Sequence, residues 1–225
     1  MDYHVRQQPL STRDSVYMQL REQILKLELP PGTALSENET SILFKVSRTP
    51  VRESFLRLAQ EGLVQVLPQR GTLVSLIDTA LVEEARFMRE HLERAVIRLA
   101  CSHFPAPYLL ELQNNLHLQQ ESIHNKDNQS MFSLDEAFHR ILFEGCSKSN
   151  TWSNMQQMNG HLNRSRMLRL VDDLHWENLY AQHRMMAEAV EAQDADTAER
   201  LMTEHLTQNI SDQAVLKEKY PHYYK

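Results

Sequence analysis

The sequence predicts a mainly α protein in two parts: a small N-terminal unit of helices closed by one β-hairpin, then a C-terminal antiparallel bundle made of helices alone. Three observations predict it. Only 5 of 225 residues are glycine, which favours helices over turn-rich architecture. Two runs rich in β-branched residues, Leu63–Leu67 and Thr72–Ile77, flank Pro68-Gln69-Arg70-Gly71, the composition of a tight turn. From Asp78 onward, apolar residues recur only at helical spacing.

Residues 1–13 carry no periodic pattern and read as a mobile arm. A first helix is expected from Asp14 to Leu27, with Val16, Leu20, Ile24 and Leu27 on one stripe, broken by Leu29-Pro30-Pro31-Gly32. Ser36-Glu37-Asn38-Glu39 forms a capping box, which opens a short helix through Ile42, Leu43 and Phe44. After a turn at Lys45-Val46, another helix runs to about Glu61 and stops at Gly62. Its start is capped by Ser47, or by Thr49 followed by Pro50. Arg48 and Arg52 lie four apart on one face there. Val51, Phe55 and Leu58 recur on the buried side, with Leu56 and Ala59 filling in around them. A helix whose cationic start protrudes while its later turns pack suits insertion into a DNA major groove. The order helix, helix, turn, helix, hairpin is that of a winged helix-turn-helix over residues 14–77. Arg70 at the wing tip then reaches a phosphate or the minor groove.

Charge fits this division. The net charge is −6. Residues 1–77 hold nine Lys/Arg and eight Asp/Glu, whereas residues 78–225 hold fifteen and twenty-two, so the acidic excess belongs to the second part. No run of eighteen apolar residues or signal-peptide pattern occurs, which points to a cytoplasmic protein with no membrane partner. Cys101 and Cys146 read as reduced thiols.

Pro30-Pro31-Gly32, Leu35-Ser36-Glu37, Val46 through Glu53, Leu58 through Leu63 and Gln69-Arg70-Gly71 together resemble the N-terminal domain of the GntR family of bacterial transcription regulators. The resemblance covers about residues 10–77. It implies DNA contacts from Ser47, Arg48, Thr49, Arg52, Arg70 and Gly71. Many members carry arginine at the place of Asn38, so a contact there would be made without charge.

About six helices fit residues 81–217, after a linker at 78–80 and before a tyrosine-rich tail at 218–225. They cover Leu81–Ser102, with Ala85, Met88, Leu92, Ala95 and Leu99 inward, a helix from Pro105 or Pro107 to about Asn125, Ser130–Glu144, Asn150 through Leu168, Leu174–Ala192, and a helix from Asp194-Ala195-Asp196 to Lys217. Asp135 and His139, four apart, point one way. His183 and His205 sit on apolar-leaning faces of two further helices. A buried imidazole without a partner leaves a polar nitrogen unpaired, and one shared metal would resolve all three. Asp135 through Arg140, His183-Arg184 with Ala187 and Val190, and Met202 with His205-Leu206 resemble the ligand-binding FCD domain of the FadR branch of that family. The resemblance implies Asp135, His139, His183 and His205 as ligands of a divalent metal, zinc first, with nickel or manganese as alternatives. It also implies a small organic acid effector facing Arg89, whose other reading is a surface ion pair with Glu93.

The expected function is a DNA-binding transcriptional regulator, taken as a repressor. It binds a palindromic operator in double-stranded DNA as a homodimer under control of a carboxylate effector. Two other readings are a metal-dependent hydrolase-like domain fused to a DNA-binding domain, and a metal-free dimerisation module.

Overall fold

Ser11 opens the first helix by accepting a hydrogen bond from the Asp14 N–H, and α1 spans Thr12–Leu25. The expected arm thus loses residues 12 and 13 to this helix and Ser11 to its cap, and residues 1–10 lie outside the described residues, which are 11–67, 69–172, 176–207 and 209–225 of this computed structural model. Val16, Leu20 and Ile24 are buried as expected. Leu27 is not the fourth member of the stripe. The chain leaves the helix at Lys26, Leu27 takes a left-handed φ of 60°, and Leu25 is buried instead.

The Ser36 hydroxyl accepts from the Glu39 N–H at 3.4 Å and starts α2, Glu37–Phe44. Lys45 turns the chain with φ 55° into α3, Arg48–Gln60. Ser47 occupies the capping position but its side chain makes no capping bond. Val51, Phe55 and Leu58 are buried, whereas Leu56 is 50% exposed because it falls on the opposite side of the helix. Gly62, at φ 71°, supplies the left-handed turn that ends this segment. The hairpin follows as β2, Val64–Leu67, and β3, Gly71–Val74, with Val64 opposite Val74 and Leu67 opposite Gly71. Pro68 of the expected turn lies outside the described residues. Sequence reasoning missed β1, Ala34–Leu35, which pairs antiparallel with β3 and completes the order β1-β3-β2. Two residues are too few to carry an alternation signal. Val16, Leu20, Ile24, Val51, Phe55, Leu58, Leu63 and Val74 form the core of this unit, residues 1–76.

The second unit, residues 77–225, is helical. It comprises α4 (Thr79–Ser102), α5 (Ala106–Asn125), α6 (Asn128–Gly145), α7 (Ser149–Met158), α8 (Gly160–Asp172), α9 (Trp176–Glu191), α10 (Ala195–Thr207) and α11 (Asn209–Lys219). Among the described residues these are eight helical segments, against about six expected. The expected helix through Asn150–Leu168 breaks at Asn159-Gly160, two weak helix formers. Residue 208, within the expected last helix, and Leu174, the expected start of the fifth, lie outside the described residues. Residues 78–80 are not a free linker: the Asp78 carboxylate caps α4 by accepting from the Ala80 N–H at 2.9 Å. Nor is 218–225 a free tail. Residues 218 and 219 end α11, a 3₁₀ turn covers Pro221–Tyr223, and Tyr224 is buried.

The inward stripe of α4 also differs from expectation. Val82, Ala85, Arg89, Glu93, Val96, Ile97 and Ala100 are buried, while Ala95 and Leu99 are exposed. A pattern search for apolar residues passes over Arg89 and Glu93, which neutralise each other inside the bundle. Ile97, Leu112, Phe138, Phe143, Met155, Met186 and Met202 form the core that surrounds them. Cys101 and Cys146 are free thiols, and among the described residues no helix is long and apolar enough to cross a membrane.

Leu58 is fully buried in the first unit. Leu58→Ala should lower that unit's stability by about 2–5 kcal/mol in urea denaturation, the cost of a core cavity; a loss below about 1 kcal/mol would contradict this packing.

Candidate metal centre and DNA-binding face

Three helices of the bundle bring Asp135 and His139 of α6, His183 of α9 and His205 of α10 together. One ligand-type atom from each lies within 4.8 Å of all the others, and all four residues are buried. The hydrogen bonds around the rings decide which nitrogens face inward. The Leu134 carbonyl accepts from Asn115 Nδ2 at 3.0 Å, so Asn115 Oδ1 is free to accept from Gln119 Nε2 at 2.6 Å. Gln119 Oε1 then lies 3.0 Å from His183 Nδ1, which must be the protonated nitrogen. Gln182 Oε1 sits 2.9 Å from His205 Nδ1, and the Glu93 carboxylate meets His139 Nδ1. His183 and His205 therefore hold their N–H outward on an amide oxygen and turn a bare Nε2 inward, while His139 sets its Nδ1 against the Glu93 carboxylate, without a hydrogen bond between them, and also turns its Nε2 inward. Phe138, stacked on His183 with ring centroids 4.2 Å apart, fixes that ring's plane.

This tautomer leaves a defect that the protein alone does not repair. His139 Nε2 and His205 Nε2 face each other at 3.2 Å, a contact in which one ring at most can donate. His183 Nε2 is buried without a hydrogen-bond partner and lies 3.7 Å from Asp135 Oδ1. Burial pushes the His183 pKa down to about 3 and holds His205 well below the usual imidazole range, so neither ring accepts a proton near neutral pH. Burial would raise the Asp135 pKa, but the Arg166 guanidinium outweighs it and keeps the carboxyl ionised. Neutral imidazoles and a carboxylate are the states in which these groups ligate metals, and an outward N–H···O bond on each ring is the usual support for a ligating histidine. The residues present fit a divalent cation.

Charged groups surround the cluster. Arg89, 2% exposed, pairs through Nε with Glu93, and its Nη1 is 3.8 Å from Glu136. The expected surface ion pair with Glu93 is thus a buried one. Arg89 Nη2 has no hydrogen-bond partner. Arg166 of α8 bridges Asp135 and Glu136 and donates to Asn163 Oδ1 at 2.9 Å. Two guanidiniums against three carboxylates leave a net charge of −1 on the charged side chains around the three imidazoles.

In the first unit, Asn38, Ser47, Arg48, Thr49, Arg52, Arg70 and Gly71 are all exposed. Arg48 and Arg52 stand in the first two turns of α3, on one side of the helix. Among the described residues, none of Arg48, Arg52 and Arg70 has a side-chain hydrogen bond or ion pair. By contrast, Arg57 at the far end of α3 is engaged with Asp14 and the Tyr17 ring. Gly71, with φ 92°, lies where an added Cβ would meet the Leu35 carbonyl at 3.5 Å, so glycine is needed for backbone conformation more than for space.

Comparison with known proteins decides what this arrangement belongs to. Residues 12–74 match the description "Bacterial regulatory proteins, gntR family", and residues 84–208 match the FCD domain. The chain belongs to the GntR family. A relative, an uncharacterized HTH-type transcriptional regulator in an unstable DNA locus of Streptomyces ambofaciens, is 40% identical over 90% of this chain and 85% of its own length. The HTH-type transcriptional repressor RspR of Escherichia coli K12 is 38% identical over 88% and 86%. The structure of E. coli McbR/YncC superposes with a TM-score of 0.82 at 21% identity, covering 94% of this chain and 100% of that one, which shows a shared fold. The protein is thus a DNA-binding transcriptional regulator with a GntR helix-turn-helix and an FCD domain.

Within this GntR regulator, sequence reasoning missed Glu93, Gln119, Gln182 and Arg166 as parts of the centre. Gln119 and Gln182 gave no local signal, since an amide is ordinary on a helix surface. Arg166 was passed over in a run of polar residues, although the structure buries almost every residue from Asn159 to Leu170. Arg166→Leu strands Asp135 and Glu136 in the interior. It should cost about 3–5 kcal/mol in chemical denaturation with chelator present; a loss under about 1 kcal/mol would show that the pair contributes no net compensation.

Proposed function

We propose that this GntR regulator is a homodimeric repressor of a palindromic operator, and that a small organic acid controls it through a divalent metal held by Asp135, His139, His183 and His205. The convergence of three bare Nε2 atoms and one carboxylate, each fixed from behind, carries the reading. Zinc is the first candidate because nitrogen-rich sites with one carboxylate suit it, with nickel or manganese as alternatives. When bound, the ion supplies positive charge and exchangeable positions to which a carboxylate can attach. A +2 ion would turn the local charge from −1 to +1, and a monocarboxylate would then neutralise it. Arg89 supports this class of ligand, since its unpaired, buried Nη2 is a donor suited to a carboxylate oxygen.

Two further features support dimeric DNA binding. Phe87, His91, Ala95 and Leu99 recur every four residues along α4, and all stay exposed in the single chain. A second copy packed there would cover them, and a two-fold protein matches a two-fold site. Arg48 and Arg52 are assigned to base or phosphate contacts, assisted by Ser47 and Thr49, with Asn38, Arg70 and Gly71 approaching the backbone. The repressor direction follows the name of the E. coli relative.

Elemental analysis of protein purified without chelator should find about one divalent ion per chain. Gln119→Ala or Gln182→Ala should each weaken metal affinity about 10- to 100-fold, the usual effect of losing a supporting bond. Protein that stays empty and refuses zinc, nickel and manganese would overturn the site.

For the DNA face, operator affinity should fall by about 1–3 kcal/mol for Arg48→Ala and again for Arg52→Ala, the worth of a bidentate contact to guanine. Unchanged gel-shift affinity in both variants would remove α3 from the interface.

A further inference from the structure

Asn159 closes α7 and is fully buried, yet neither Nδ2 nor Oδ1 of its amide has a hydrogen-bond partner. An unpaired amide in the interior is costly, and an apolar side chain of similar size would avoid that cost. Its surroundings follow from its neighbours along the chain. The Asn159 carbonyl accepts from the Asn163 N–H at 2.7 Å, so the chain runs helically from Asn159 into α8. Asn159, Asn163 and Arg166 therefore share one side of that helix. Asn163 Oδ1 accepts from Arg166 at 2.9 Å, and Arg166 pairs with Asp135 and Glu136. On the other flank, Gln156 Nε2 donates to Glu136 Oε2 at 2.8 Å. The side chains before and after Asn159 thus both lead to Glu136, and the Asn159 amide between them is unused. Arg89 Nη1 lies 3.8 Å from the other oxygen of Glu136, and Arg89 Nη2 is the second unused group of this neighbourhood.

The two groups ask for different chemistry. A guanidinium N–H only donates, so it needs an acceptor such as a carboxylate oxygen. An amide donates through Nδ2 and accepts through Oδ1, so its partner must do both. A ketone would leave Oδ1 unpaired, an ammonium would leave Nδ2 unpaired, and a second carboxylate would set oxygen against Oδ1. Two adjacent hydroxyls satisfy both atoms, one accepting from Nδ2 and the other donating to Oδ1. The charge balance at the metal takes one carboxylate, so the rest of the ligand should be neutral, as hydroxyls are.

We propose that Asn159 selects the effector by gripping adjacent hydroxyls of a hydroxylated monocarboxylate whose carboxylate lies at the metal and Arg89. This inference rests on the effector reading above and adds to it the ligand's second functional group and the residue that reads it. A site built to bond a hydroxyl rejects the analogue that lacks it, because the site's own buried groups then stay unpaired. The competing arrangement is a buried water that stays on Asn159 whatever binds, and it would make hydroxylated and plain acids bind alike.

The test is calorimetric titration of the full, zinc-loaded chain with pentanoate and with its dihydroxy derivatives, which carry adjacent hydroxyls at successive places along the carbon chain. The best dihydroxy acid should bind about 10- to 100-fold tighter than pentanoate, the worth of pairing a buried amide that is otherwise unpaired. Hydroxyls beside the carboxylate also gain by meeting the metal, and Asn159→Leu separates the two causes. It should cut the gain to less than about threefold, because the apolar side chain leaves no group to satisfy, with pentanoate affinity and zinc content unchanged. If Asn159→Leu loses zinc, Asn159→Ala is read in the same way. A gain that survives the substitution, or a series in which no dihydroxy acid gains about tenfold over pentanoate, overturns the role of Asn159 and leaves the effector reading standing. Zinc-loaded protein that binds no acid of the series overturns the effector reading, and the role of Asn159 with it.

Discussion

Three imidazole Nε2 atoms and one carboxylate share a small buried space, and much of the second unit is arranged around that fact. A buried lone pair without a partner is costly, and here His183 Nε2 has none beside a His139–His205 contact at 3.2 Å. The surrounding helices do not relieve this by donating hydrogen bonds into the space. They enforce it: Gln119, Gln182 and Glu93 each take up the Nδ1 side of a ring, so no rotation exchanges the inward nitrogen. Arg166 holds Asp135 ionised in a place where burial alone would protonate it. Each support reads as stabilisation of a ligating state, and none reads as ordinary core packing.

The same constraint explains why α4 is unusual for a bundle helix. Its buried stripe carries a complete ion pair, Arg89 with Glu93, in the middle of seven turns. A buried pair of this kind is poor evidence of stability, because apolar residues of similar size often do as well. Its value lies in reach. Glu93 orients His139, and Arg89 presents an unused donor among the acidic groups. The proposed control by an anion needs such a donor held in place before the ligand arrives, since an effector shifts an equilibrium only by what it binds differently in the two states.

The fold was legible in the sequence wherever local chemistry repeats. Ser36 opening α2, Gly62 ending the α3 segment and the paired runs of the hairpin were all visible, and the arginines of α3 stand exposed as their spacing required. What escaped notice depends on distant partners. β1 is two residues long and exists only because β3 passes beside it. Leu56 falls on the side of α3 away from its buried face, a distinction that composition does not record. The α4 stripe was misread by one position, since Arg89 and Glu93 look like surface residues until Glu136 and His139 are placed next to them. The four residues of the cluster were legible from their helical placement and a family resemblance. Their supporting shell was not, because Gln119 and Gln182 acquire meaning only when three helices are assembled.

X-ray absorption at the zinc edge on metal-loaded protein tests the central claim most directly. If the inward Nε2 atoms and Asp135 hold the ion, the spectrum will show three imidazole nitrogens at about 2.0–2.1 Å with at least one oxygen in the first shell. His183→Ala will then reduce the imidazole count to two. A first shell made of oxygens without imidazole scattering, or one unchanged by His183→Ala, would contradict the account.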